Sequence, residues 1–277
     1  MPINLPRRRV LPGFGLGLGI TLAYMGLLVF LPLAALTLKG AGIGPKEFWA
    51  TVTAPRTLAA LRLSFLGALM AALINAVFGL LTAWVLERYR FPGRSIVDGL
   101  IDMPFALPTA VAGLALTALY APTGWIGALL GRFGIEAAYT STGVVIAMVF
   151  VGLPFVVRTV QPVLADVERE LEEASESLGA RPWDTWRRVV LPMLVPAAIA
   201  GFALAFARAV GEFGSVIFIA GNLPGHTEIA PLLIITRLEE FKYGQAAAIG
   251  TAMLVLSFCV LLLVNLLQAW SMRWARP

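Results

Sequence analysis

The chain has 277 residues, one histidine and one cysteine, and only 13% of it is Asp, Glu, Lys or Arg. A lone Cys259 can close no disulfide within the chain, so cysteine usage leaves the redox compartment unread. One His, one Cys and no cluster of membrane-facing carboxylates leave few groups for metal binding or nucleophilic chemistry, which disfavours an integral-membrane enzyme. There is no phosphate loop of the Gly, four residues, Gly-Lys-Ser/Thr kind, and no glycine-rich turn following a strand. Internal repeats and low-complexity segments are absent too.

What the chain does have is hydrocarbon. With 59% hydrophobic residues and a mean hydropathy of +0.84, it carries more apolar surface than a water-soluble core can hide. Uncharged runs long enough to cross about 30 Å of bilayer occur at Leu16 to Leu38, Leu63 to Leu86, Met103 to about Tyr120, Ala137 to Val157 and Tyr243 to Met272. A sixth begins near Val189, is interrupted by Arg208 and Glu212, and resumes to Ala220. The fold class expected is therefore an all-α integral membrane protein of six transmembrane helices.

Lys and Arg resist translocation, so their distribution orients the spans. A cytoplasmic N-terminus puts Arg7, Arg8, Arg9, Arg88, Arg90, Arg94, Arg158, Arg169, Arg181, Arg187, Arg188, Arg273 and Arg276 inside, thirteen against seven outside, with Arg208 within the membrane. Both termini are expected in the cytoplasm. The net charge of +5 could suggest nucleic acid, but these arginines cluster at span ends and not on one face interleaved with aromatics. Arg7 to Arg9 ahead of an apolar run also has the look of a secretory signal, although the run is long for one, which favours an uncleaved first helix.

Residues 1–57 read as a tail, a first span and an outer loop with Phe48 and Trp49 at the interface; 269–277 read as a short cytoplasmic tail. Pro55 suits the first turn of the second helix, and Phe91-Pro92-Gly93 a tight turn. Trp125 to Leu130 is too short to span and reads as an interfacial segment, while Ile229 to Ile235 can fold back against the membrane.

The most polar stretch runs from 165 to 192. Leu164, Val167, Leu171, Ala174 and Leu178 recur at spacings of three and four, which predicts one helical face, with Asp166, Glu168, Arg169, Glu170, Glu172, Glu173 and Glu176 around it. Gly179 can close that helix in the left-handed conformation, and Pro182 can open a second short helix with Asp184 near its start and Arg187 and Arg188 near its end. Ala174, Ser175 and Leu178 would then lie beside Trp183 and Trp186. Small residues permit close approach and exposed aromatics are common anchors, yet a solvated cytoplasmic loop accounts for the same pattern.

The spacing Glu173-Ala174-Ser175, three residues, Gly179, nine residues, Val189, one residue, Leu191-Pro192 resembles the coupling loop of permease subunits in bacterial ABC importers. That pattern reads Glu-Ala-Ala, Gly, Ile, Leu-Pro, and this chain departs from it at Ser175 and Val189 alone. The resemblance implies that Glu173, Ala174, Ser175, Leu178, Gly179, Leu191 and Pro192 engage an ATP-binding subunit and pass on its motion. It further implies that ATP and magnesium are bound by that partner, with no cofactor in this chain.

A charge in hydrocarbon costs at least about 2.5–3.5 kcal/mol, so Arg208 and Glu212 need an account. Four residues apart, they share a face and can pair. The pair can be self-neutralising packing between helices, or it can line the route of an anion, with Arg208 attracting and Glu212 positioning or gating. Asn75 and Asn265 are expected to make interhelical hydrogen bonds. In Pro104-Phe105-Ala106-Leu107-Pro108-Thr109 each proline removes a donor, which predicts a broken helix. Such a break is either a kink or a half-helix whose free amides face an anion.

The segments Pro104 to Gly113, Pro154 to Val163 and Gly211 to Asn222 are similar to the sulfate/thiosulfate permeases, the likeness running from about Leu58 to Gln268. It implies a type I importer permease domain over 58–268 and a bacterial inner-membrane location. The partners it implies are two copies of an ATP-binding subunit, a second, related permease and a periplasmic sulfate-binding protein. Of the two permeases the T-type is the better match. A molybdate or tungstate permease with a homodimeric pore, and an ATP-independent anion channel, are the competing readings.

Overall fold

The computed structural model describes residues 14–274; the expectations placed on Arg7, Arg8, Arg9 and Arg276 lie outside them, and the side chain of Arg273 is outside the described ones. The described residues form helices and turns with no strand. Five of the described helices are long and apolar enough to cross a membrane, and a bent pair has the length and composition of a sixth span.

α1 (Phe14–Ala41) buries nothing in its most apolar window, so its faces meet lipid. It leans on the last helix, where a Cβ on Gly40 would lie 3.1 Å from the backbone of Ala247. A short α2 (Pro45–Val52) leads to α3 (Pro55–Arg88), which opens with Pro55 in its first turn as expected. Its missing N–H is one that a helix start leaves unpaired anyway.

The third crossing departs from the expectation of one run from Met103 to Tyr120. Gly93, at φ 87°, turns the chain into α4 (Arg94–Ile101), followed by one turn, α5 (Met103–Ala106), and a break at Leu107-Pro108. Pro108 can donate no hydrogen bond and forces Leu107 into extended backbone at ψ 134°. What remains, α6 (Thr109–Tyr120), has 12 residues and reaches only about 18 Å. α7 (Trp125–Gly131), expected as an interfacial segment, follows at 42° to it, and together these two have the length and composition of a span.

α8 (Ser141–Asp166) starts four residues later than expected and runs nine residues further than Val157. The predicted single face from Leu164 to Leu178 is interrupted, because Val167 and Glu168 are extended before α9 (Arg169–Ser177). The second short helix expected at Pro182 is instead the first turn of the fourth full-length helix, α10 (Pro182–Val210), which therefore begins well before Val189. A wide π turn at 186–190 makes the join, and the other π turn, at 26–30, also lies just before a Leu-Pro pair, Leu31-Pro32. A proline ring collides with the carbonyl four residues back, and the wider turn removes that clash without ending the helix.

Past Val210 the chain does not resume a span. It forms a loop, one turn of α11 (Val216–Ile219) and an outer loop, then α12 (Ala230–Glu239) and α13 (Tyr243–Trp274). α12 does fold back, with Ile229, Ala230 and Leu233 buried against the bundle. Ser64 Oγ accepts the Ala230 N–H at 2.8 Å, and Arg56 grips buried Glu228 through two bonds of 2.7 Å. In the turn after α12, the Lys242 ammonium, with Arg237, holds the Glu240 carboxyl down to about 2, so its ion pairs last far into acid.

The core lies where α3, α8 and α10 meet, and it is built on small residues. Val156 is wedged between two glycines: a Cβ on Gly79 would come 2.8 Å from the Val156 Cβ, and one on Gly201 2.9 Å from its Cα. Asn75 donates to the Val149 carbonyl at 3.1 Å, the interhelical bond expected of it, whereas Asn265 is exposed. Replacing Gly79 with leucine should cost about 1–3 kcal/mol through overpacking and lower the unfolding temperature in detergent. Gly19→Ala, at a site with nothing within 4 Å, should leave that temperature unchanged.

Candidate functional site

At the polar end of the bundle, α9 closes with two diagnostic bonds: the Ala180 N–H reaches the Ser175 carbonyl at 3.1 Å and the Gly179 N–H reaches that of Glu176 at 2.8 Å. This pairing needs a left-handed residue between helix and exit, and Gly179 supplies it at φ 83°. The turn sets α9 against the start of α10, where the hydroxyls of Ser175 and buried Thr185 share a hydrogen bond of 3.0 Å. Trp183 stacks on Trp186 at 5.1 Å.

The outer face of this corner is bare. Leu178 is 90% exposed and Trp183 64%, and Glu173 and Ala174 are exposed on α9. Ser175, Leu178, Gly179, Ala180, Asp184 and Val189 line a shallow groove of about 400 Å³. Leu191 and Pro192 lie beyond that lining, half-buried and exposed respectively, as the first two residues after the π turn.

A second cluster gathers at the break before α6. The side chains of Arg208 and Glu212 pair across one turn, and the Glu212 carboxylate is buried. Its other oxygen accepts both the N–H and the hydroxyl of Ser215 at 2.8 Å, so Glu212 holds the loop that ends α10. Arg208 is partly exposed, with a side-chain accessibility of 32%. That loop presses on the first turn of α6. A Cβ on Gly214 would lie 2.1 Å from Thr109 Oγ1, and one on Gly113 2.5 Å from the Ser215 carbonyl. Thr109 and the Arg208–Glu212 loop are thus brought together. Pro108, exposed, precedes the first turn of α6, while Pro104 sits apart in α5, where Phe105 packs edge-on against Phe155.

The chain matches the family of binding-protein-dependent transport system inner membrane components over residues 75–276. It is 50% identical over 262 residues to the sulfate transport system permease protein CysT of Escherichia coli strain K12, covering 95% of each chain. The CysT of Synechocystis is 49% identical, covering 92% of this chain and 90% of that one. The chain belongs to the CysT family of ABC importer permeases. Among solved structures, it superposes with a TM-score of 0.75 on a bacterial ABC transporter importing the acidic polysaccharide alginate, at 15% identity over 92% of this chain and 94% of that one. Inward-facing MetNI, a methionine ABC transporter, gives 0.55 at 16% identity, over 84% and 100%. These likenesses establish the type I importer permease fold.

Such a permease is a multi-pass inner-membrane component of a transport complex and not itself an enzyme. Sequence reasoning singled out both clusters but missed the groups that hold them in place. Ser215 and Thr185 were unremarked hydroxyls. Arg158 was counted only as a topological charge, yet it grips the Asp102 carboxylate through two bonds of 2.8 and 2.6 Å and donates to the Asp98 carboxylate at 2.8 Å and the Asp98 carbonyl at 3.0 Å, fixing α4 and α5 just ahead of the break. The available signal was the pair Asp98 and Asp102, one turn apart, with Pro104 two residues further on. Arg88, likewise treated as topology, pairs with Glu172 at 2.6 Å.

Removing one member of a buried pair strands the other. Arg208→Gln should therefore destabilise the detergent-solubilised permease by about 3–5 kcal/mol. The double variant Arg208→Gln/Glu212→Gln should recover most of that loss in thermal unfolding.

Proposed function

We propose that this permease is half of the pore of an ATP-driven importer that moves sulfate and thiosulfate into the cytoplasm by alternating access. The second half is a related permease, this chain being the T-type partner. Two copies of an ATP-binding subunit, which hold ATP and magnesium, complete the complex, and a periplasmic sulfate-binding protein delivers the anion. Both termini and the corner at α9 face the cytoplasm, in keeping with the excess of arginine there, and 58–268 forms the permease domain proper.

One observation carries the coupling role: the bare corner, where Leu178 and Trp183 stand in water on either side of the Gly179 turn. Exposed large apolar side chains on a rigid turn fit a cleft in a partner. Glu173, Ala174, Ser175, Leu178 and Gly179 enter the ATP-binding subunit, and Leu191 and Pro192 set the angle at which α10 leaves it. Closure of the ATP-binding subunits moves α9 and the start of α10, tilts the bundle and opens the route outward; the return stroke releases the anion inward.

The route passes the break at Pro104 to Thr109. The first amides of α6 have no intrahelical partners and carry the positive end of its dipole, a favourable setting for an oxyanion. Arg208 adds charge, with Glu212 holding it in place. The dianion is met by partial charges and one guanidinium, so it is attracted without being trapped.

Gly179→Asp should abolish sulfate uptake while the chain still inserts, because a side chain there is strained at φ 83° and puts a charge at the docking turn. Normal uptake by that variant would refute the coupling role. In vesicles bearing the complete transporter, thiosulfate should compete with labelled sulfate and molybdate should not. Competition by molybdate alone would assign a different cargo.

A further inference from the structure

Arg88 ends α3 and reaches α9. Its guanidinium lies 2.6 Å from a Glu172 carboxylate oxygen and donates to the Val167 carbonyl at 3.2 Å. The same group sits 5.7 Å over the Trp84 ring, and the side chain is 11% exposed. Arg88 thus ties the α9 side chain to α3 and takes the carbonyl at the point where α8 gives way to the extended Val167 and Glu168.

This matters because α9 is otherwise attached to the core by little else on that side. Two extended residues, Val167 and Glu168, are its only covalent link to α8, and an extended link of that length can swing. A push on α9 would be spent in bending it. An ion pair to α3 closes the alternative, since α3 is the helix that carries Asn75 and Gly79 into the centre of the bundle. The pair is incomplete in this conformation. Arg88 and Glu172 meet out of line for a hydrogen bond, and Arg88 Nε is buried with no acceptor. A buried donor left unmet is costly, so any seating of α9 that brought an acceptor to it would be favoured.

We infer that Arg88 and Glu172 form a latch that sets the seating of α9 and passes its displacement to α3. They are positioning residues: Glu172 points back at the bundle, unlike its exposed neighbour Glu173. The inference rests on the coupling role of the corner, and it adds the load-carrying link on the permease side.

The test is the number of labelled sulfate ions accumulated per ATP hydrolysed by the complete transporter in vesicles. Glu172→Gln should lower that ratio roughly two- to thirtyfold, the range by which residues along a coupled path modulate it. Arg88→Gln, which also frees the Val167 carbonyl, should lower it at least as far, and the double variant should lose no more than Arg88→Gln alone, because the Glu172 contribution runs through Arg88. A merely structural role would lower the yield of assembled complex and leave the ratio of what assembles unchanged. A wild-type ratio in Glu172→Gln, or losses that multiply in the double variant, overturns the latch. Should Arg88→Gln not assemble, Glu172→Gln decides alone. Gly179→Asp, run beside them, separates the two claims: uptake at the normal ratio there refutes the coupling role itself, whereas loss there with a normal Glu172→Gln refutes only the latch.

Discussion

Val156 of α8 lies between Gly79 of α3 and Gly201 of α10, so close that a β-carbon on either glycine would come within 3 Å of it. Three long helices can pack at that distance only where side chains are missing, and in lipid, where apolar surface gains little from leaving its solvent, such contact is what holds helices together. The rest of the structure depends on it. The bundle is tightly packed at this crossing and irregular at both ends, and several of the irregularities lie where a proline or a glycine interrupts a helix.

Those interruptions are bought with polar pairing. The break at Leu107-Pro108 is held from one side by Arg158 with Asp98 and Asp102, and from the other by the loop that Glu212 and Ser215 close. The corner after α8 is held by Arg88, Glu172 and the Ser175–Thr185 hydroxyl pair. In each case an unsatisfied backbone group or an isolated charge would be expensive away from water, so irregular backbone and compensating side chains occur together. The same pairing explains how a protein with so few charges can place Arg208 in the last turn of a span and bury Glu212 in the loop just beyond it.

Helices whose only requirement is length and hydrophobicity were legible in the sequence. α1 and α13 fall within a few residues of where apolar runs predict them, and α3 contains its predicted run but starts eight residues before it, because a bilayer asks little more than about 20 uncharged residues. Gly179 was legible as well, since a glycine at the end of an amphipathic run has few other uses. The third crossing was not, because Pro108 shortens one helix and a second at 42° completes it, a tertiary matter that hydropathy cannot register. The merging of Pro182 into α10 was hidden for a similar reason: Pro192 reads as a breaker, yet a π turn absorbs it. Arg88 and Arg158 were misfiled because charge at a span end serves orientation and pairing alike, and their acidic partners lie 84 and 56 residues away in the chain.

The central claim is that the corner at α9 converts ATP hydrolysis in a partner into movement of an anion through the break at Pro108. It is tested most directly by rebuilding the importer in sealed vesicles, with ATP inside and labelled sulfate and the sulfate-binding protein outside. Accumulation against a gradient that requires both ATP and the binding protein, and stops when either is withheld, is the predicted result. Passage of sulfate down its gradient without ATP would contradict the account and make the chain a channel.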